Sequence, residues 1–432
     1  MTERLYYADS LLQRFTAHVT DIREVSRADG VSVWQIALDR TAFYATSGGQ
    51  PCDTGMLTAI SPGGAVLEAE VESVEEDEQG TVWHYTRKPV TTGTHVTGTI
   101  DWSRRMDHMQ QHSGQHLLSA VFARELQAPT VSFHLGEAVS TIDLATGPVA
   151  HHSLERVERI ANELIGEDRR VAVKTVERAE AEAMLADGKL HKLPPRDGRI
   201  RLIEIADYDL NACGGTHVRS TGQIGGLMIR GMEKVSRGIR VEFVCGQRAV
   251  ARARHDYAVL SHAAAELSIG RDDVPAAIER MKQERKLLDK ERLRLRNEAA
   301  SYHAVRLVVE EQIKGGLRLV VRNYDDRDAD YVRQLALNLT ASVPRTVALL
   351  SSEEVWPARL VLAKSGDVNL HCGELLREVV ERYGLRGGGS TEFAQTDVPK
   401  EVLGKLRDEL ETEVCARCRL GAGRTGTEPR VL

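Results

Sequence analysis

Two short segments carry residue types that can bind one metal ion together. His112 and His116 are four positions apart in a segment whose apolar pattern predicts a helix, so both imidazoles project from one face about one turn apart. Cys213 and His217 enclose two glycines, which let the backbone curl so that a thiolate and an imidazole converge. Three imidazole nitrogens and one sulfur favour zinc over magnesium or calcium. We therefore predict one zinc ion per chain, bound by these four residues.

Other histidines and cysteines fit a metal site less well. His108 lies one turn before His112, but three successive turns of a straight helix cannot all reach one ion at about 2 Å. We expect His108 beside the ligands or on the surface. Cys415 and Cys418 form a CxxC pair with no second pair nearby, so we expect free thiols. A metallopeptidase is disfavoured because position 113 is serine where the HExxH motif needs glutamate.

The composition is that of a globular protein with several domains. The 432 residues are 42% hydrophobic and 28% charged, and they provide room for about three domains. No window approaches the roughly 20 apolar residues that span a bilayer, which predicts a cytoplasmic protein without membrane contact. The net charge of −6 argues against indiscriminate coating of nucleic acid, but not against a local basic patch.

Periodicity along the chain predicts an α+β protein with four parts. These are a β-barrel-like domain (1–100), a zinc-binding α+β core (101–248) that begins with a helix over Trp102 to Leu126, a helical linker (249–314) and a small α/β domain (315–432). Within the linker, Ile278, Met281, Leu288 and Leu295 fall at heptad spacing. Arg285 and Arg292 interrupt this seam, so we predict a helical hairpin or a short coiled-coil arm. Beyond Leu420, the Gly/Arg/Thr-rich tail predicts disorder.

Several motifs, in this order and spacing, resemble the editing domain of alanyl-tRNA synthetases and the free-standing alanyl-tRNA editing proteins. The motifs are FYATSGGQ at 43–50, DTG at 53–55, HSGQHLL at 112–118, CGGTH at 213–217 and VSRGIRVEF at 235–243. GLRGGGSTEFAQ at 384–395 is similar to the glycine-rich signature of the DHH-associated domain that ends those synthetases, although Leu385 and Thr396-Asp397 depart from it. The barrel begins near Met1, so we expect the aminoacylation half to be absent and the chain to be the long free-standing form.

The resemblance implies a zinc-dependent hydrolase that removes serine, and as a second candidate glycine, from the tRNA for alanine in trans. It also implies a homodimer formed through the C-terminal half. Two alternatives stay open: an editing hydrolase for another misacylated tRNA, and a tRNA-binding protein whose zinc is structural. The zinc ion would activate a water molecule or polarise the ester carbonyl, and the residues do not decide between these roles.

Five glycines, one threonine and one glutamine complete the predicted site. Thr46 aligns with the position at which the free-standing family members sense the substrate hydroxyl; without the resemblance it would be an ordinary strand threonine. Gln50 and the turn at Gly48 and Gly49 would present amide groups to the ester or the terminal ribose, or would only form a tight hairpin. A loop at Gly387, Gly388 and Gly389 would contact nucleic acid through bare N–H groups.

Overall fold

The computed structural model describes residues 1–28, 31–61, 63–190, 192–195, 198–313 and 316–420. The predicted disordered tail lies outside these residues. Contacts divide the chain into two compact units, residues 1–263 and 264–432. The four predicted domain boundaries stay predictions.

The first unit begins with a closed β-barrel, which confirms the predicted N-terminal architecture. Its early strands are β1 (Glu3–Arg4), β2 (Arg14–Ala28), β3 (Val31–Leu38), β4 (Arg40–Thr41), β5 (Gly55–Ile60), β6 (Val66–Glu76), β7 (Val82–Thr86) and β8 (His95–Ile100). The barrel closes in the order β2-β3-β7-β6-β5-β8, while β1 and β4 form a separate parallel pair. Alternate strand residues such as Leu57, Ala59, Val71 and Val96 point inward and form its apolar core.

An α+β core follows the barrel. It contains α1 (Trp102–Leu126), β9 (Thr130–Leu135), β10 (Ser140–Leu144), α2 (His151–Gly166), β11 (Val171–Val176), α3 (Arg178–Ala186), β12 (Ile200–Ile205), β13 (Asp209–Ala212), β14 (Leu227–Val235), β15 (Gly238–Cys245) and α4 (Gly246–Glu266). The strands form one sheet in the order β14-β15-β10-β9 and another in the order β11-β12-β13. The helix predicted from Trp102 to Leu126 is confirmed with the same bounds.

Helix α1 is the central element of this core. Asp101 caps its start by accepting a hydrogen bond from the Arg104 N–H at 3.2 Å, and Gln127 ends it in a left-handed conformation. Most of its residues between Arg105 and Phe122 are buried. A helix buried on nearly all sides can hold polar side chains inside the protein, provided that each finds a partner.

A buried ion pair fixes the first turn of α1 to the barrel. Arg105 and Asp53 are both fully buried, and Arg105 Nε donates to both Asp53 carboxylate oxygens, at 2.9 and 3.0 Å. The same guanidinium donates to the carbonyls of Ser10 and Ala42. The Asp53-Thr54-Gly55 motif therefore has a structural role in joining the barrel to the core.

The second unit contains a five-stranded mixed sheet between two pairs of helices. Its elements are α5 (Val274–Glu310), β16 (Arg318–Tyr324), α6 (Ala329–Ser342), β17 (Thr346–Ser352), β18 (Ala358–Lys364), α7 (Cys372–Glu381), β19 (Gly387–Gly389), β20 (Phe393–Val398) and α8 (Lys400–Leu420). The strand order is β16-β17-β18-β20-β19. On β17, Ala348 and Leu350 pack with α5 and α6, whereas Val347 and Leu349 pack with α7 and α8.

Two features of the second unit differ from the sequence predictions. Gly387, Gly388 and Gly389 form the edge strand β19, paired with β20, and not a loop. The charged linker comprises the end of α4 and a second helix of 37 residues, α5, which is longer than a short coiled-coil arm; the alternative of a helical hairpin stays a prediction. Its heptad positions Met281, Leu288 and Leu295 are 52%, 66% and 52% exposed.

Candidate metal centre

The four predicted ligands meet at one point in the first unit. One nitrogen or sulfur atom from each of His112, His116, Cys213 and His217 lies within 4.8 Å of all the others. The ring centroids of His112 and His116 on α1 are 5.1 Å apart, and the centroid of the His217 ring lies 4.4 Å from that of His112. Cys213 Sγ is 3.5 Å from His112 Nε2 and 3.4 Å from His217 Nε2. Such a cluster can hold a single metal ion.

The loop from Cys213 to His217 reaches α1 because Gly215 has no side chain. A Cβ atom at Gly215 would lie 2.1 Å from His112 Cε1 and 2.9 Å from Gln50 Oε1. Those distances are far below van der Waals contact, so a larger residue would push the loop away from the helix. The Gly215 N–H also points to Cys213 Sγ at 3.4 Å.

Gln50 orients one of the ligands. Its Oε1 accepts hydrogen bonds from the Thr216 N–H at 3.0 Å and from His112 Nδ1 at 2.9 Å, and its Nε2 donates to Thr216 Oγ1 at 2.8 Å. Because Oε1 must accept the Thr216 N–H, His112 carries its proton on Nδ1, and the lone pair of Nε2 faces the cluster. Gln50 is completely buried, so the structure places it behind His112 and not at an open substrate surface.

His217 has a comparable support. Its Nδ1 lies 3.1 Å from Ser113 Oγ, which also accepts the Val218 N–H at 3.2 Å. Sequence reasoning used Ser113 only to argue against a peptidase and did not single out Thr216 or Arg201. Ser113 and Thr216 each stand next to a candidate ligand in the sequence, and this adjacency could have indicated them. Arg201 is distant from every motif along the chain, so no sequence signal marked it.

Burial favours the neutral forms of the three imidazoles and of the cysteine thiol in this cluster. It lowers the pKa of His116 to about 4 and the pKa values of His112 and His217 well below their ordinary value. It also raises the pKa of the Cys213 thiol. Neutral imidazoles offer free lone pairs, and His116 Nδ1 is buried without a hydrogen-bond partner among the described residues. This donor set fits zinc, which binds neutral imidazole and displaces the thiol proton.

A glycine turn lies next to the cluster. Ser47 and Gln50 exchange backbone hydrogen bonds, and Gly48 and Gly49 between them have φ angles of 55° and 84°, which favour glycine. The turn packs on Phe133, whose Cε2 would be 2.9 Å from a Cβ at Gly49 and whose ring centroid lies 5.7 Å from that of His112. Gly48 and Gly49 are exposed, unlike the largely buried imidazoles.

Thr46 precedes this turn and lies outside the strands. Its side chain is exposed, and its Oγ1 accepts a hydrogen bond from the Cys52 N–H at 3.2 Å. The hydroxyl proton is therefore available to another acceptor. Thr46 is thus not a strand residue, and its role in sensing the substrate hydroxyl stays a prediction.

His108 belongs to neither the cluster nor the surface. It is 4% exposed, and burial lowers its pKa to about 4. Its Nδ1 has no hydrogen-bond partner among the described residues. Its burial excludes the surface, one of the two positions expected for it, and leaves the other, beside the ligands.

Comparison with known proteins agrees with the position of these motifs. The family described as "tRNA synthetases class II (A)" matches residues 1–104, and the "Threonyl and Alanyl tRNA synthetase second additional domain" matches residues 200–241. Alanyl-tRNA editing protein AlaX-L of Pyrococcus horikoshii is 30% identical over 95% of this chain and 100% of its own length. The chain belongs to the alanyl-tRNA editing proteins of the AlaX family, in their long form.

The AlaX-type chain is also similar to part of a larger enzyme. Alanine–tRNA ligase of Pyrococcus abyssi is 31% identical over 96% of this chain but only 43% of its own length. The C-Ala domain from Aquifex aeolicus alanyl-tRNA synthetase matches 24% of this chain with 20% identity and a TM-score of 0.22, which is no basis for a common fold.

Outside the metal centre, this AlaX family member has few features that suggest chemistry. Cys415 and Cys418 on α8 are both free thiols. The glycines of β19 lie at a sheet edge in the second unit. No helix among the described residues is long and apolar enough to cross a membrane.

Proposed function

We propose that this protein is a zinc-dependent aminoacyl-tRNA deacylase that acts in trans in the cytoplasm on the tRNA for alanine wrongly charged with serine. Glycine is the second candidate amino acid. The buried cluster of His112, His116, Cys213 and His217 carries the proposal, because two separate motifs of an editing family converge there on one point.

The ester between an amino acid and a tRNA ribose is already activated, so its hydrolysis needs a positioned water and stabilisation of the developing oxyanion. Zinc would supply Lewis acidity for one of these tasks. The chain itself supplies rigidity: Gln50 and Ser113 hold two of the imidazoles by the nitrogen that faces away from the cluster. This support fixes the ligands before the substrate arrives.

Serine differs from alanine by one hydroxyl group, and an apolar pocket rejects such a difference by only about a hundredfold. A polar partner for that hydroxyl is more effective. We assign this role to Thr46, since its hydroxyl is exposed, accepts the Cys52 N–H as its one partner among the described residues and retains a proton to donate. Gly48 and Gly49 supply the nearby backbone surface for the ester or ribose.

The second unit would bind tRNA and support a homodimer. Exposed apolar residues seven positions apart on α5, namely Met281, Leu288 and Leu295, support self-association. The glycines Gly387, Gly388 and Gly389 would present backbone N–H groups from the edge of the sheet, because one side of an edge strand is unpaired.

One deacylation assay tests the chemistry. The purified chain should contain about one zinc per chain and should hydrolyse seryl-tRNA for alanine faster than alanyl-tRNA. Cys213→Ala should lose most of the zinc and the activity, because a thiolate ligand is removed. As a matched control, Cys52→Ala changes a buried cysteine in the barrel and should keep both.

Three outcomes would contradict the proposal in different ways. Native protein without zinc, or full activity of Cys213→Ala, would exclude the metal centre. If the protein hydrolysed only another misacylated tRNA, it would be an editing hydrolase for that tRNA and not for the tRNA for alanine. Zinc and tRNA binding without any deacylation would indicate a binding protein with a structural metal.

A further inference from the structure

Arg201 on β12 is bound to both ends of the turn that carries the sulfur ligand. Its Nη1 donates to the carbonyls of Cys213 at 2.8 Å and Gly215 at 2.9 Å, and its Nε donates to the Tyr7 carbonyl at 3.3 Å. The Cys213 N–H in turn donates to the Arg201 carbonyl at 3.1 Å. One side chain thus ties the cysteine arm of the cluster to the neighbouring strand.

The charge of Arg201 has no carboxylate partner. The side chain is buried, with 7% of the residue exposed, and among the described residues it makes no ion pair with Asp or Glu. Its Nη2 is buried and finds no hydrogen-bond acceptor in the described part of the chain. Arg105 differs in this respect, because its fully buried guanidinium forms an ion pair with the Asp53 carboxylate, which neutralises its charge. The Tyr7 ring, whose centroid lies 5.6 Å from Arg201 Cζ, and three backbone carbonyls offset part of the cost of burying this guanidinium, but none of them neutralises its charge.

The metal cluster gives a reason for this unneutralised charge. The turn that Arg201 holds through two carbonyls begins at Cys213, whose Sγ lies 3.5 Å from His112 Nε2 and 3.4 Å from His217 Nε2. In a metal-bound cluster of three neutral imidazoles and one thiolate, the sulfur carries the only negative charge of the protein ligands.

We propose that Arg201 is a positioning residue of the metal centre, which fixes the turn from Cys213 to Gly215 through two carbonyls and places a positive charge beside the turn that carries the sulfur. The proposal rests on the metal site of the proposed function. It makes a specific prediction about replacement, because a single nitrogen, Nη1, bridges both carbonyls. The ammonium of lysine can donate to two carbonyls from one nitrogen and keeps the charge, whereas methionine does neither.

The test measures metal affinity in the full chain, by competition between the protein and a chelator for zinc. Arg201→Met should raise the zinc dissociation constant by about tenfold to a hundredfold, the usual effect of removing a group that supports a ligand. Arg201→Lys should recover most of the affinity. The control is Arg248→Met, which removes a largely buried arginine paired with Asp107 and bonded to the Gly136 carbonyl. It should bind zinc within roughly threefold of the wild type.

Cobalt(II) in place of zinc gives a second, spectroscopic measurement. Its charge-transfer band from sulfur should shift or weaken in Arg201→Met and stay close to the wild-type band in Arg201→Lys, since the sulfur position changes only when the turn is released. Wild-type zinc affinity in Arg201→Met would overturn the proposal. So would equal weakening by lysine and methionine, or a metal-free Arg201→Met that unfolds while Arg248→Met stays folded. Absence of zinc from the wild type would instead refute the proposed metal site itself.

Discussion

At the scale of single residues, Thr46 offers the sharpest test of substrate choice. Thr46→Val keeps the shape of the side chain and removes only its hydroxyl, which accepts the Cys52 N–H. A neutral hydrogen bond contributes roughly 0.5 to 1.5 kcal/mol, and more when its loss leaves a buried partner, so the preference for seryl- over alanyl-tRNA should fall by about threefold to a hundredfold. Rates of deacylation on both substrates measure this ratio.

Two controls show whether an effect of Thr46→Val comes from the lost hydroxyl: a second variant and the zinc content. Thr46→Ser retains a hydroxyl and should retain most of the preference, while the zinc content of both variants should equal that of the wild type. An unchanged preference in Thr46→Val would assign serine recognition to another residue.

The cluster of candidate ligands could be predicted from the sequence, and the residues that support it could not. His112, His116, Cys213 and His217 have rare chemistry at short spacings, so local sequence indicated their function. Gln50 was expected either at the substrate or only in a tight hairpin, and neither expectation included the hydrogen bonds by which its amide holds His112 across 62 positions of sequence and Thr216 across 166. Which groups meet over such separations is decided by packing of the whole unit, and local patterns do not contain that information.

At the scale of elements, the attachment of α1 to the barrel depends on Arg105. Arg105→Met leaves the Asp53 carboxylate buried without a counter-charge and removes donors from two carbonyls. Breaking a buried ion pair on one side costs about 3 to 5 kcal/mol, so the free energy of unfolding of the chain should fall by that amount in urea titrations.

A surface pair provides the control for Arg105. Arg156 and Glu125 form an ion pair in which the arginine side chain is 63% exposed. Arg156→Met should change the unfolding free energy by about 0 to 1 kcal/mol. Equal effects of the two substitutions would show that the Arg105–Asp53 pair does not hold α1 to the barrel.

Elements with their own terminal signals were predicted better than elements defined by pairing. Helix α1 has a capping aspartate and an apolar period, and its bounds agree with the prediction. Gly387 to Gly389 lack side chains that favour a strand, so their composition predicted a loop. They nonetheless pair with β20 and form an edge strand. Hydrogen bonds to a neighbouring strand outweigh weak local preference.

At the scale of the whole molecule, chemistry and tRNA affinity should be separable. All candidate ligands and the proposed sensor lie in the unit of residues 1–263. A chain that ends at Ala263 should therefore keep its zinc and should deacylate at saturating tRNA, while the tRNA concentration for half-maximal rate rises by about tenfold or more, because contacts on a second unit are lost. Equal tRNA affinity of the short and full chains would argue against recognition by the second unit.

The distance along the chain between the two halves of the metal centre affects how the protein folds. His112 and Cys213 are 101 positions apart, and Gly215 contacts α1 closely enough that no Cβ would fit. Closing so long a loop is entropically unfavourable until the strands between the two segments have formed, so the ligands come together late in folding. A newly made chain exposes Cys213 as an unprotected thiol until then. Binding of a metal ion by these four residues would therefore require that the segments of the first unit that bring them together have folded.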